Sequence, residues 1–229
     1  MSLPLTGISS MATRQVLVEL AAAYGRATRR EVQIESVGGV EAARRVQEGG
    51  PFDVVVLAEE AMQQLAAGGH VAPASLRAFV RSGVAVAVRA GSARPDIATE
   101  AALRAAVQAA RRIGYSTGPS GSALLKLIQR WGLSEVLRDR LVQAKPGVPV
   151  AQLIAAGEVD LGFQQLSELQ HQDAVDVLGP MPPGLEIVTT FAGAVGTRSA
   201  QAVDAQALLD FLCAPQTAEI KRLHGLQQA

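Results

Sequence analysis

Residues 113–133, IGYSTGPSGSALLKLIQRWGL, predict a strand, a loop and a helix in succession. The run Ile113-Gly114-Tyr115 is typical of a short β-strand, and a loop of small residues follows it from Ser116 to Gly121. Apolar residues then recur at helical spacing at Leu124, Leu127, Ile128 and Trp131. A loop of this kind that leads into a helix favours anion binding, because free backbone N–H groups and the helix dipole point at the ligand.

Two further junctions of the same kind precede this one, at Ser9-Ser10 and at Gly38-Gly39. Each follows a predicted strand and opens a predicted helix. We also expect Ser120 or Ser122 to cap the helix after the third loop. A single glycine-rich loop could do no more than turn the chain. Three of them at strand–helix junctions favour ligand binding.

The composition indicates a globular protein with an aliphatic core. The chain has 229 residues, of which 48% are hydrophobic and only 3% aromatic, so Ala, Val and Leu must fill the core. Lys and Arg number 21, as do Asp and Glu, and the resulting zero net charge argues against nucleic-acid binding. No apolar run approaches the ~20 residues of a membrane span.

The cysteine and histidine content offers no metal site. Cys213 is the single cysteine, which excludes an internal disulfide, and His70, His171 and His224 are far apart in sequence. We therefore expect neither a metal nor another cofactor.

The order of the predicted elements indicates an α/β fold. Residues 53–57 and 84–88 are continuous apolar runs, typical of strands that are buried on both faces. Residues 178–183 contain three prolines and are expected to be irregular, because proline lacks the N–H that a sheet requires. Residues 205–223 predict a closing helix with a break at Pro215. The elements form two clusters, each able to carry a sheet, and we expect a ligand crevice between them.

Several short segments, in their order along the chain, resemble the molybdate-binding proteins of ABC importers, which have a type II periplasmic-binding-protein fold. The family's proline–X–aspartate before an apolar strand is present as Pro51-Phe52-Asp53. The likeness covers nearly the whole chain and rests on the order and spacing of its segments. These are Ile8-Ser9-Ser10-Met11, residues 43–54 (ARRVQEGGPFDV), residues 157–162 (GEVDLG) and residues 211–220 (FLCAPQTAEI).

The resemblance implies an α/β protein of two lobes with a ligand cleft between them. Each lobe would contain a mixed, mostly parallel sheet flanked by helices. Residues 1–83 and 190–229 would form the first lobe, and residues 84–189 the second.

The resemblance also implies where a ligand would bind. The family's first serine ligand falls on Ser10, and its second falls on Gly39, which has no hydroxyl. The tyrosine of the family's oxyanion site falls on Gln165, and backbone donors fall near Ser120 and Val148. With their neighbours at the three junctions, the expected ligand-binding residues are Ser9, Ser10, Gly38, Gly39, Ser116, Ser120, Gly121, Ser122, Val148 and Gln165.

The departures at Gly39 and Gln165 favour a small organic carboxylate over molybdate. A lost hydroxyl leaves a tetrahedral oxyanion short of donors, whereas an amide suits a carboxylate that carries further polar groups. Strand alternation is expected to turn only one of Gln164 and Gln165 inward, and the resemblance favours Gln165. Arg14 could pair with a carboxylate, although a solvated helix residue is the favoured interpretation.

Two functions agree with these features, and a ligand-sensing regulatory domain would need a DNA-binding segment that the chain lacks. The favoured function is a solute-binding protein that closes around a small anion and delivers it to an ABC-transporter permease. The alternative is an isomerase of an unsaturated polycarboxylate such as aconitate, which would move an allylic proton. Its catalytic residues are not identified. Candidate bases, each better explained by structure or ligand binding, are Ser9, Ser120, Tyr115 and Glu59.

The expected location depends on the native N-terminus. No secretory signal precedes Gly7. The protein is expected in the periplasm if a signal has been removed, and in the cytoplasm if Met1 is the native start.

Overall fold

The computed structural model describes residues 3–170 and 172–229, and the chain divides into two compact units. The first unit contains Met1–Ser82 and Thr190–Ala229, and the second contains Gly83–Thr189. The strands are β1 (Leu5–Ser10), β2 (Val32–Val37), β3 (Val54–Ala58), β4 (Arg77–Arg89), β5 (Ile113–Tyr115), β6 (Leu141–Gln143), β7 (Leu161–Gln165), β8 (Val175–Pro180), β9 (Val188–Val195) and β10 (Gln227–Gln228). The α-helices are α1 (Arg14–Thr28), α2 (Gly39–Gln47), α3 (Glu59–Ala67), α4 (Glu100–Ala109), α5 (Pro119–Arg130), α6 (Ser134–Leu137), α7 (Val150–Ala155), α8 (Leu166–Leu169), α9 (Ala202–Cys213) and α10 (Ala218–Leu223).

In the first unit, β1 lies between β2 and β3 and pairs with both in parallel, with Gly7 opposite Ile34 and Val54. β9 pairs with β3 in the antiparallel direction, and β10 pairs with β4. The apolar run in β3 is buried on both faces, as predicted. α1 and α9 pack on the side of Val54, and α2 and α3 pack on the side of Val55.

In the second unit, β7 pairs with β4 in the antiparallel direction, with Gln165 opposite Val84. β5 lies between β7 and β6 and is parallel to both. α4 and α5 cover one face of this sheet, and α7 and α8 cover the other. Because β5 and β7 run in the same direction, the segments that follow them emerge at the same edge of the sheet.

Two strand predictions need correction. Residues 84–88 are only part of β4, which continues toward the N-terminus to Arg77 with a mixed polar and apolar pattern. The expectation that residues 178–183 are irregular is wrong for the first three of them, which end β8. The pairing of β8 with β4 shifts in register between Val86 and Ala87, and Pro180 is the last residue of its strand. A bulge and a terminal position allow a proline to lie in a sheet.

Proline and glycine residues lie at two of the helix boundaries. The break expected at Pro215 is confirmed, because α9 ends at Cys213 and α10 begins at Ala218. The prediction that Ser120 or Ser122 caps α5 is wrong. The N-cap is Gly118, and Pro119 takes the first helical position, where its missing N–H costs nothing.

Candidate functional site

The carboxyl ends of the strands carry most of the predicted ligand-binding residues. In the first unit, Ser9 and Ser10 end β1, and Gly38 and Gly39 follow β2. We call these four residues the first-unit edge. In the second unit, the corresponding residues follow β5 and end β7, and we call them the second-unit edge. They are Ser116, Ser120, Gly121, Ser122 and Gln165.

The two serines of the first-unit edge differ in their hydrogen bonding. The hydroxyl of Ser9 lies 2.7 Å from that of Ser36, the opposing residue of β2. Ser10 is only 7% exposed, and its Oγ has no hydrogen-bond partner among the described residues. The Ser10 side chain does not cap the helical turn that follows. Because a buried hydroxyl without a partner is costly, Ser10 is the residue of this edge that a ligand would satisfy.

Gly39 is the first residue of α2, and Gly38 is its N-cap. A Cβ built on Gly39 would lie 3.8 Å from the Cβ of Ser10, which is an ordinary contact distance. The glycine is therefore not required by space. A side chain at this position would lie against Ser10, and glycine leaves that side of the serine uncovered.

In the second unit, the loop between β5 and α5 is closed by hydrogen bonds of its own. The hydroxyls of Ser116 and Ser120 lie 3.0 Å apart, and the amides of Gly121 and Ser122 both donate to the carbonyl of Gly118. A Cβ on Gly121 would lie 1.9 Å from the carbonyl oxygen of Ser116. Glycine at position 121 is thus required for the loop to close over the start of the helix.

Gln165 ends β7 with a buried amide that is only partly satisfied. It is 3% exposed, and its Nε2 donates to Oγ1 of Thr189 at 2.8 Å. Its Oε1 has no partner among the described residues. A half-turn of the amide keeps the contact with Thr189, since a hydroxyl both donates and accepts, and presents the NH₂ group instead. Gln165 can therefore offer a ligand either a donor or an acceptor.

Gln164 is buried as well, which corrects the expectation that only one of the two glutamines faces inward. It points to the opposite face of the sheet, where its Oε1 accepts from the amide of Ala151 at 3.3 Å. Its Nε2 donates to Oε1 of Glu168 at 2.8 Å. Both faces of β7 are covered by other elements, so alternation along the strand does not separate an inward side from an outward side.

Glu168, beside the second-unit edge, is a titratable residue that the sequence did not reveal. Burial raises the pKa of its carboxyl to about 7, although the hydrogen bond from Gln164 acts in the opposite direction. Gln164 lies in β7 and Glu168 in α8, so their contact crosses a strand–helix junction. Only the packing of α7, β7 and β8 against α8 distinguishes this glutamate from an exposed one.

The structure gives less support for ligand binding by the remaining predicted residues. The amide of Val148 donates to the carbonyl of Lys145 at 2.9 Å in a turn, so that N–H is already used. Arg14 and Glu59 are exposed first residues of α1 and α3, and Tyr115 is partly buried at the end of β5. Burial raises the pKa of the half-buried Cys213 thiol.

The described part of the chain holds no group of three or more His, Cys, Asp or Glu residues that could bind a metal. His224 contacts Glu19 at 2.7 Å, and His171 lies outside the described residues. The structure thus brings Ser10 close to Gly39, and Ser116 close to Ser120 and Gly121. The role of these residues in ligand binding stays a prediction.

The fold and the polar strand ends agree with a solute-binding protein, and comparison with known proteins identifies the family. Residues 5–227 match the family described as bacterial extracellular solute-binding protein, and the chain belongs to this family. An aconitate isomerase of Pseudomonas sp. is 32% identical over 97% of this chain and 87% of its own length.

Similar structures show the same fold. The periplasmic molybdate-binding protein of Azotobacter vinelandii has a TM-score of 0.81 at 21% identity, covering 97% of this chain and 98% of that one. The sulfate-binding protein SubI of Mycobacterium tuberculosis has a TM-score of 0.77 at 16% identity, covering 98% and 86%. The expected type II periplasmic-binding-protein fold is confirmed. Among the described residues, no helix is long and apolar enough to cross a membrane.

Proposed function

We propose that this protein binds a small organic carboxylate through neutral hydrogen-bonding groups at the carboxyl ends of its strands. The observation that supports this most is the state of Ser10 and Gln165. Each is buried, each ends a strand, and each carries a side-chain oxygen without a partner among the described residues. Buried polar groups are almost always paired in folded proteins, so an exception at a strand end suggests a ligand.

Neutral groups are sufficient to bind an anion at such positions. A hydrogen bond to a charged acceptor is about twice as strong as one between neutral groups, and exclusion of water strengthens it further. The hydroxyl of Ser10 and the serines of the loop before α5 would act as donors. The N-terminus of α5, a helix of three turns, adds its dipole.

The choice of a carboxylate over a tetrahedral oxyanion rests on Gly39 and Gln165. Gly39 contributes no hydroxyl to the first-unit edge and leaves room beside Ser10. Gln165 can donate to a carboxylate and can also accept from a hydroxyl or a protonated carboxyl, which fully ionised molybdate does not offer. A carbon skeleton with several polar groups fits both features.

The family suggests the biological setting. We propose that the protein works outside the cytoplasm and delivers its ligand to the permease of an ABC importer. The ligand-binding residues proposed here do not depend on that partner.

A screen of ligands tests the proposal. Thermal-shift measurements with citrate, cis-aconitate, trans-aconitate, molybdate and tungstate would be followed by calorimetry. A ligand at about 100 times its dissociation constant adds roughly 2.7 kcal/mol to the free energy of unfolding. We expect this from at least one of the carboxylates. Micromolar molybdate binding without any response to carboxylates would refute the proposed ligand class.

The aconitate isomerase relative favours a second candidate function, isomerisation of an unsaturated polycarboxylate such as aconitate. The reaction would remove a proton from a CH₂ group beside the double bond and return one at the other end of the allylic system. Incubation of cis-aconitate with the protein in D₂O, followed by NMR, would detect both the trans isomer and deuterium incorporation. Binding of aconitate without either product would rule out this activity and leave the binding function.

A further inference from the structure

Glu168 has no part in the ligand binding described so far, yet it lies beside the second-unit edge. It belongs to α8, which follows Gln165 directly. Gln164 joins its carboxyl to the first turn of α7, since the Gln164 amide bonds Glu168 at one end and the Ala151 N–H at the other. The carboxyl thus lies on the α7 face of β7, at the strand end whose other face carries the unpartnered oxygen of Gln165.

Within residues 3–170 and 172–229, the surroundings of Glu168 supply little to balance its charge. α7, β7 and β8 pack against α8. α7 and β7 contain no ionisable side chain, and the single one in β8, Asp176, is paired with Arg94 at 3.5 Å. The neighbouring side chains that form the core here are apolar, among them Val150 and Leu169. Among the described residues, Glu168 therefore has an amide donor and no salt bridge.

We propose that binding of an anion by this protein is coupled to the uptake of a proton by Glu168, an inference that rests on the proposed function. A bound anion repels the carboxylate form of Glu168 and leaves the neutral form undisturbed. Thermodynamic linkage then requires the reciprocal effect, in which protonation of Glu168 strengthens anion binding. The proton that Glu168 takes up from solvent would then offset part of the negative charge that the ligand brings.

The environment of Glu168 places this exchange near neutral pH. Because burial has already raised its pKa to about 7, the free protein is partly protonated there, and an anion nearby raises the pKa further. Each unit of further increase makes binding about tenfold weaker well above both pKa values than well below them. We expect affinity to fall by about threefold or more as pH rises from about 6.5 to about 8.5.

Calorimetry of the full chain tests this directly. Binding of trans-aconitate, and of molybdate as a probe without carboxyl groups, would be measured near pH 7.5 in two buffers with different heats of ionisation. Wild-type protein should take up a measurable fraction of a proton per ligand, and Glu168→Gln should take up none. Because glutamine imitates the neutral carboxyl, Glu168→Gln should also bind more tightly than wild type at the alkaline end of the range.

The outcomes separate the two proposals. Glu158→Gln, which removes an exposed carboxyl of the same unit, should behave as wild type. Binding without proton uptake in wild type would overturn the inference and leave the proposed function standing, and this measurement needs no variant. A Glu168→Gln protein that binds more weakly at every pH would assign Glu168 a structural role only. If wild type bound none of the anions, both proposals would be rejected.

Discussion

Lys221 donates from its Nζ to Oε1 of Gln228 at 2.7 Å, and this bond ties α10 to the last strand. The ammonium is fully buried, donates also to the carbonyl of Phe79, and lies 4.7 Å from the centroid of the Phe79 ring. Burial lowers the pKa of Lys221 to about 8. From about pH 8 to about pH 10.4, the folded protein therefore binds fewer protons at this residue than the unfolded chain does.

The contribution of Lys221 to stability should rise with pH across that window, because the unfolded state holds the proton more tightly. Lys221→Met should remove this rise, since methionine has a similar volume and no charge. Urea unfolding of both proteins from about pH 7 to about pH 10 measures the difference. Lys126→Met, at an exposed position, is the control and should keep the wild-type pH dependence. An equal rise in Lys221→Met would contradict the prediction.

Ser10→Ala should weaken carboxylate binding by about tenfold or more, the worth of a hydrogen bond to a charged group. It should leave the free protein as stable as wild type or slightly more so, because the lost hydroxyl has no partner among the described residues. Ser75→Ala is a matched control. The Ser75 hydroxyl donates to Ala72 and accepts from Val195, so its loss should cost about 1–3 kcal/mol of stability without changing affinity. Calorimetry and thermal unfolding would show the opposite pattern if Ser10 were only structural.

Gly121→Ala should destabilise the protein by about 1–3 kcal/mol or more, since the added methyl group collides with the Ser116 carbonyl. Gly118→Ala in the same loop meets no atom within 4 Å and should have a small effect. Thermal unfolding of the two variants compares them. Equal losses of stability would show that the loop adjusts, and that the close approach does not determine its shape.

Asp53→Ala should lower the free energy of unfolding by about 2–4 kcal/mol, since it leaves the Thr6 amide and the Ser199 hydroxyl without an acceptor and leaves the Thr6 hydroxyl only the Pro51 carbonyl. The carboxylate accepts from the amide and hydroxyl of Thr6 and from the hydroxyl of Ser199. Asp139→Ala, at an exposed site, should change stability little. If the Asp53 variant unfolded at the same urea concentration as wild type, the hydrogen bonds of the Asp53 carboxylate would not contribute to stability.

The sequence was sufficient to predict features that depend on a short run of neighbouring residues. The apolar run of β3 and the break at Pro215 were both predicted, because each depends on residues that are adjacent in sequence. The full length of β4 was not predicted, since pairing with distant segments stabilises its polar residues as a strand. The place of Pro180 in β8 was not predicted either, because it depends on a bulge in the pairing of β8 with β4.

The candidate site was predictable only in part. Serines and glycines at strand ends are visible in the sequence, but whether a hydroxyl is satisfied is not. Ser9 and Ser10 are adjacent and identical, yet one is bonded to Ser36 and the other has no described partner. The sequence did not indicate a role for Glu168. The burial that raises its pKa comes from elements that pack against α8 and not from neighbouring residues in the chain.

The division of the chain has a consequence for its synthesis on the ribosome. Gly83–Thr189 is a continuous segment, so the second unit can complete its core as soon as that segment has emerged. The first unit is interrupted, and the edge of β3 receives its partner, Phe191 to Val195, only near the end of translation. Until then β3 presents an apolar, unpaired strand edge, which is the kind of surface that chaperones bind and that aggregation exploits. The nascent chain is thus most vulnerable in the segment that was made first.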